Sequence, residues 1–117
     1  MTRPRASKRL RDASSACMEL DSFTSGRTLQ EYEADRGLRL IVERLFEILG
    51  EALHQASREE ESLAKDIPDL RKIVGLRNRV IHGYDSIRND VLWDIVRNEV
   101  PVLREQIERI LDARGWS

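Results

Sequence analysis

Arg77, Asn78 and His82 stand close together in the stretch "LRNRVIHGYDSI", residues 76–87, and Tyr84 follows two residues after the histidine. These residue types suit the cutting of a phosphodiester without a metal ion. A guanidinium neutralises the charge that develops on a phosphorane. An imidazole, with an ordinary pKa of about 6.5, moves a proton to or from an oxygen near neutral pH. A carboxamide holds the geometry. A plainer reading uses the same residues: an arginine in a structural salt bridge, and a histidine that meets carbonyls and the dipole at a helix end.

The position of Arg77 is the sharper signal. At about 100° per residue, and with Leu70 at zero, Ile73 falls near 300°, Val74 near 40°, Val80 near 280° and Ile81 near 20°. Arg77 falls at about 340°, in the middle of that apolar arc, while Asn78 and His82 share its edge. Arginine keeps its charge, and burying it unpaired is costly. Three solutions are open. Arg77 pairs with a carboxylate of the preceding long helix, where Glu43, Glu47 and Glu51 repeat every four residues. It snorkels to the edge. Or the stripe lines a cleft that receives an anion.

The elements that must position these residues read as helices throughout. A first helix is expected over 6–24, with Leu10, Ala13, Cys17 and Leu20 on one face, and "SGR" at 25–27 ends it. Thr28 reads as an N-cap with Glu31 completing a capping box. A long helical pattern runs to about 57, with Leu38, Ile41, Leu45, Leu49, Leu53 and Ala56 as its stripe and Gly37 dividing off a lead-in. Residues 57–68, "SREEESLAKDIP", read as a loop with room for one helical turn. The motif helix is expected from about Asp69 to Ile81 or His82, stopped by Gly83. Asn89 or Asp90 is expected to cap the next helix, with Val91, Leu92, Ile95 and Val96 inward. Pro101 either kinks that helix or sits in the first turn of a new one through Ala113, before Gly115. The expected fold is all-α, an antiparallel bundle of four to five helices forming one domain over residues 1–117.

Composition agrees with helices, because Gly and Pro number only 6 and 3. The formal net charge of −1 gives no global signal for nucleic acid. The charge is uneven, however: residues 71–88 hold five basic side chains against one acid, and 58–69 hold five acids against two bases. A local basic patch binds phosphate even on a neutral chain. Cys17 is the sole cysteine, which excludes an intramolecular disulfide and fits a reducing cytosol. No apolar run approaches a membrane span or a signal-peptide core, so a cytoplasmic protein is expected. Glu51 and His54 are three apart on one helix face, but no second such pair and no H-E-x-x-H accompanies them, and a solvated face accounts for them. No metal site and no cofactor are expected. Trp93 and Trp116 could stack on bases; the expectation is Trp93 in the core or a dimer interface and Trp116 at a frayed end.

The R-x4-H-x-Y arrangement of Arg77, His82 and Tyr84 resembles the signature of HEPN-domain toxins of the HepT type, the partners of minimal nucleotidyltransferase antitoxins of the MntA type. "EILGEA" (47–52) looks like that family's "IGEA" segment, "IPDLRKIVGLRNRVIHGYDSI" (67–87) resembles its motif helix, and "LWDIVRNEVPVLREQIERIL" (92–111) is similar to its C-terminal helices. The resemblance covers most of the chain from about residue 28. It implies a HEPN-like bundle that dimerises and brings two motifs together across a cleft. It implies a metal-independent endoribonuclease of a type VII toxin–antitoxin pair, acting on mRNA or tRNA. Carried over, Arg77 would polarise the scissile phosphate, and His82 would be general acid or base in attack by the ribose 2′-hydroxyl. Asn78 would support them, and Tyr84 would accept AMP from the antitoxin. Arg79 and Arg88 would extend the RNA-binding surface through phosphate contacts, with plain solvated charge as the other reading.

A second function is compatible with the same residues. A non-catalytic helical module could present Tyr84 as the docking or modification site for a nucleotidyltransferase. The coexistence of Arg77 and His82 favours the enzyme, since a docking module has no use for both.

Overall fold

Leucines and small residues at helical spacing dictate how this chain packs. In the computed structural model, residues 4–82 and 88–117 are described, the side chains of 80–82 excepted. The described residues are helical between their turns, and the architecture is an all-α bundle. The helices are α1 (Arg5–Thr24), α2 (Leu29–Ala34), α3 (Arg36–Glu59), α4 (Leu63–Asp66), α5 (Leu70–His82), α6 (Asn89–Asp94) and α7 (Val100–Ala113), with a π-helical segment, Ile95–Glu99, joining the last two.

The long helix α3 is the centre of the bundle. It packs against α1 on one side and α5 on another, and α1 in turn packs against α7. α1 can serve two neighbours because small residues surround its leucines: Ala6, Ser7, Ala13, Ser14, Ala16 and Cys17 are all buried with Leu10 and Leu20. Burial pushes the Cys17 thiol up to about 12, so it stays protonated. α3 contributes Leu38, Val42, Leu45, Phe46, Leu49, Leu53 and Ala56 to the core. Ile41, expected inside, is 39% exposed. Its helix is apolar over a wider arc than it buries, and the side carrying Val42 and Phe46 is the one the bundle covers.

The turns follow local chemistry. Gly26 takes a φ of +75° after α1, a conformation open to glycine. The Thr28 hydroxyl accepts from the Glu31 N–H at 3.1 Å, and the Glu31 carboxylate accepts from the Thr28 N–H at 3.0 Å, completing the capping box. The break before α3 falls at Asp35 and not at Gly37, because the Asp35 carboxylate accepts from the Leu38 N–H at 3.0 Å and caps the new helix. The acidic stretch holds one helical turn, α4, pinned by buried Leu63 and Ile67.

The C-terminal half departs from expectation at the cap of α6, at Val91 and at Trp116. Arg88, with no side-chain cap, stands at the N-cap of α6, while Asn89 and Asp90 lie inside its first turn. The Arg88 guanidinium holds the Asp90 carboxylate instead, at 2.5 and 3.1 Å. Val91 is exposed because Leu92, Ile95 and Val96 define the buried arc and Val91 falls at its edge. Pro101, by contrast, takes one of its two expected placements, in the first turn of a helix that runs through Ala113. It has no N–H to give Arg97, and the preceding π turn, in which the Val100 N–H reaches back to the Ile95 carbonyl, widens the helix before the ring.

Trp116 is not frayed. Gly115 takes a φ of +67°, its N–H bonds Asp112 at 3.2 Å, and the Trp116 N–H bonds Leu111 at 2.7 Å. That Schellman arrangement folds the indole back against the core, with the Arg114 guanidinium 5.0 Å from its ring. Trp93 packs on Tyr32 at 5.0 Å between centroids, tying α6 to α2. Among the described residues no helix is long and apolar enough to cross a membrane.

These positions predict opposite outcomes for neighbours. Leu92→Ala should cost about 2–5 kcal/mol in urea unfolding, whereas Val91→Ala should stay within about 0.5 kcal/mol.

Candidate active site

Leu70 and Ile73 of α5 point into the bundle and are buried. Arg77 continues their line one turn further, so its stem is carried inward with them. The space it enters exists because α3 presents Gly50 there. A Cβ on Gly50 would lie 2.5 Å from the Arg77 Cγ and 3.3 Å from its Cδ, and nearer still to its Cβ. Only a residue without a side chain admits that crossing.

The guanidinium then meets Glu51, the next residue of α3. One terminal nitrogen of Arg77 donates to Glu51 Oε2, and the other donates to Asn78 Oδ1 at 2.5 Å. The second Glu51 oxygen accepts from Gln55 Nε2 at 2.9 Å. The Gln55 hydrogen bond, and after it the charge of Arg77, hold the Glu51 carboxyl below its ordinary pKa. The Arg77 Nε–H is buried with no partner among the described residues. Of the three candidate glutamates, Glu51 is therefore the partner of Arg77; Glu47 instead accepts from Arg44 at 3.0 Å.

Stability does not explain this arrangement. Arg77 is 18% exposed and Glu51 44% exposed, and pairs that reach solvent are worth about 0–1 kcal/mol. Glycine in a helix interior costs about 0.5–1 kcal/mol relative to alanine. The two roughly cancel, and the buried Nε–H adds a cost of its own.

Arg77 borders a cleft of about 840 Å³ between α1 and α3, lined also by Arg9, Glu19, Arg44, Ile48 and Glu51. Glu19, Arg44 and Leu45 also line an adjoining shallow groove with Phe23, Leu40 and Ile41. Phe23, Leu40, Ile41 and Ile48 are exposed apolar side chains. The edge of α3 left uncovered by the bundle is thus an apolar strip leading to the arginine.

α5 runs through His82, so Arg77 and His82 share one helix, five residues apart. The His82 side chain, Gly83 and Tyr84 lie outside the described residues. Arg79 is exposed. Arg88, engaged with Asp90, is already paired. The described residues contain no group of three or more His, Cys, Asp and Glu side chains placed to hold a metal ion; both oxygens of Glu51 are occupied by Arg77 and Gln55.

The family profile "Ribonuclease HepT-like" matches residues 13–110. The chain belongs to the HepT-like family. A probable ribonuclease HepT of Thermococcus cleftensis is 28% identical over 101 residues, covering 86% of this chain and 91% of that protein. Two putative RNases of Methanocaldococcus jannaschii are 30% and 31% identical, covering 85% and 83% of this chain and 90% and 80% of their own lengths. No solved structure matches the chain.

Gly50 and Gln55 escaped the reading of the sequence as site residues. The signal for Gly50 was present: a glycine inside a strong helical pattern, with no turn beside it, marks a close backbone approach. Gly50→Ala should force α5 outward and displace Arg77. The expected result is a loss of about 1–3 kcal/mol in thermal or urea unfolding, where an exposed Gly→Ala in a helix would gain stability.

Proposed function

We propose that this HepT-like chain is a metal-independent endoribonuclease toxin that acts as a homodimer. The observation that carries the reading is Arg77, anchored by Glu51 and Asn78 beside a cleft, with one N–H of each terminal nitrogen not used by these two bonds. Phosphate oxygens are the acceptors that would take these N–H groups, and charge-assisted bonds of this kind are the strong ones.

In the proposed reaction Arg77 binds the scissile phosphate and stabilises the charge on its oxygens as the 2′-hydroxyl attacks. His82 acts as general base on the 2′-hydroxyl or general acid on the leaving 5′-oxygen. The P–O5′ bond breaks, leaving a 2′,3′-cyclic phosphate and a 5′-hydroxyl. Asn78 holds the guanidinium. Arg79 contacts RNA phosphates beyond the cut, and Arg88 adds charge once Asp90 releases it.

The apolar strip of Phe23, Leu40, Ile41 and Ile48 supports dimerisation, since a second subunit laid on it would bring a second motif toward the cleft. Tyr84, two residues past His82, is the proposed acceptor of AMP from an MntA-type nucleotidyltransferase antitoxin. The added phosphate and base would repel RNA from the cleft mouth. The RNA is mRNA or tRNA.

His82→Ala should abolish cleavage of total RNA with dimer and thermal stability intact; retained cleavage removes His82 from the mechanism. Tyr84→Phe should still cut RNA and escape silencing, and transfer of labelled AMP to this variant would exclude Tyr84 as acceptor. The acid limb of the pH profile should also discriminate. Gln55 and Arg77 lower the Glu51 pKa, so their ion pair is complete above the ordinary glutamate value of about 4.3 and is lost only as pH falls through the depressed one. Activity that changes between about pH 5.5 and 7.5 then reports the histidine, and His82→Ala should remove that transition from any residual activity.

A further inference from the structure

Resting on the ribonuclease reading above, we infer that Glu51 is the positioning residue of the site: braced by Gln55, it fixes the plane of the Arg77 guanidinium, so that the second N–H of each terminal nitrogen is held ready for incoming phosphate. Four observations converge on this role. Gly50 gives the Arg77 stem a path across α3 that any side chain would block. The path ends at the residue immediately following, Glu51, which takes one terminal nitrogen. Glu51 is not free to follow the arginine, because Gln55 Nε2 holds its other oxygen at 2.9 Å, one turn along the same helix. Asn78 takes the second terminal nitrogen from α5. Two corners of a planar group are thereby fixed from two different helices, and the plane has no rotational freedom left. The Nε–H is buried without a partner among the described residues, so it reports the rigidity of the group, and the second N–H of each terminal nitrogen is left for phosphate.

Rigidity of this kind matters for a transition state more than for binding. A long-range attraction draws RNA to an arginine in any rotamer, whereas stabilising the phosphorane requires the N–H vectors to be aimed before the charge develops. Removal of Glu51 should therefore depress turnover with little effect on RNA affinity. A glutamate that merely competed with phosphate for Arg77 would act in the opposite direction, and its removal would tighten binding.

The test uses the full chain expressed without an antitoxin. Glu51→Gln keeps the size of the side chain and removes its charge; Gln55→Ala loosens the brace and leaves the charge. Cleavage of a short RNA is followed under single-turnover conditions to separate kcat from KM. In parallel the Arg77 Nε–H is observed in a ¹⁵N-edited spectrum, assigned by its loss in Arg77→Lys. The expected result is a fall in kcat of about 100-fold for Glu51→Gln, the scale of a misaligned catalytic group, with KM little changed. Gln55→Ala should show a smaller fall. The Nε–H signal, sharp in the wild type, should broaden or vanish in Glu51→Gln. An unchanged kcat, a tighter KM, or an Nε–H signal as sharp as that of the wild type overturns the inference. If the wild type cuts no RNA, the ribonuclease reading fails separately, and the Nε–H signal still decides whether Glu51 positions Arg77.

Discussion

The crossing of α5 over Gly50 is the constraint from which the rest of the site follows. Two helices approach closely where one of them has no side chain, and an arginine stem occupies the room this leaves. The core makes the approach possible: Leu70 and Ile73 on α5, with Leu49 and Leu53 on α3, are buried around it. The next residue along α3 then meets the guanidinium, and the residue one turn beyond meets that carboxylate. A charged group thus lies in an apolar stripe with its position set by packing and its charge answered at one corner only. Neither the hydrophobic effect nor the ion pair accounts for placing it there, because the pair is half open to water and the glycine costs helix stability. The proposed phosphate, arriving from outside, would account for both.

The uncovered side of α3 belongs to the same design. The helix carries more apolar surface than one bundle buries, and the surplus, with Phe23 from α1, leads to the cleft that holds Arg77. A surface of this kind on a 117-residue chain is where the proposed second copy would dock, setting a phosphate cleft between two arginines of opposite subunits. With the proposed dimer, the ordinary logic of amphipathic helices therefore serves two ends. One edge of the stripe folds the chain, and the other assembles the site.

Much of this was legible in the residues. The capping box at Thr28, the glycines at 26 and 115, and the leucine spacing of α1 and α3 fixed most helix positions, because each is a local signal with a local cause. The misplacements share a different origin. Ile41 and Val91 are apolar residues at the edge of an arc, and which edge is buried depends on neighbours that no local pattern names. Trp116 folds back because a Schellman turn gives it a direction. Within the site, Arg77 announced itself by its place in the stripe, and three glutamates four residues apart were equivalent until the register of α5 against α3 selected Glu51. That register is a tertiary fact, set at Gly50, and a helical wheel of one helix does not contain it.

Whether Arg77 is there for phosphate or for the fold is the central question, and one substitution separates the two. Arg77→Met keeps the stem over Gly50 and removes the guanidinium, leaving a half-exposed Glu51 free to hydrate. Thermal unfolding and RNA cleavage in chelator should be measured on the same preparation, with product ends mapped. A role in phosphate binding predicts unchanged or raised stability, complete loss of cleavage, and 2′,3′-cyclic phosphate ends from the wild type alone. An Arg77→Met variant that unfolds several degrees lower yet cuts RNA as well as the wild type would make Arg77 a structural ion pair and contradict the account at its centre.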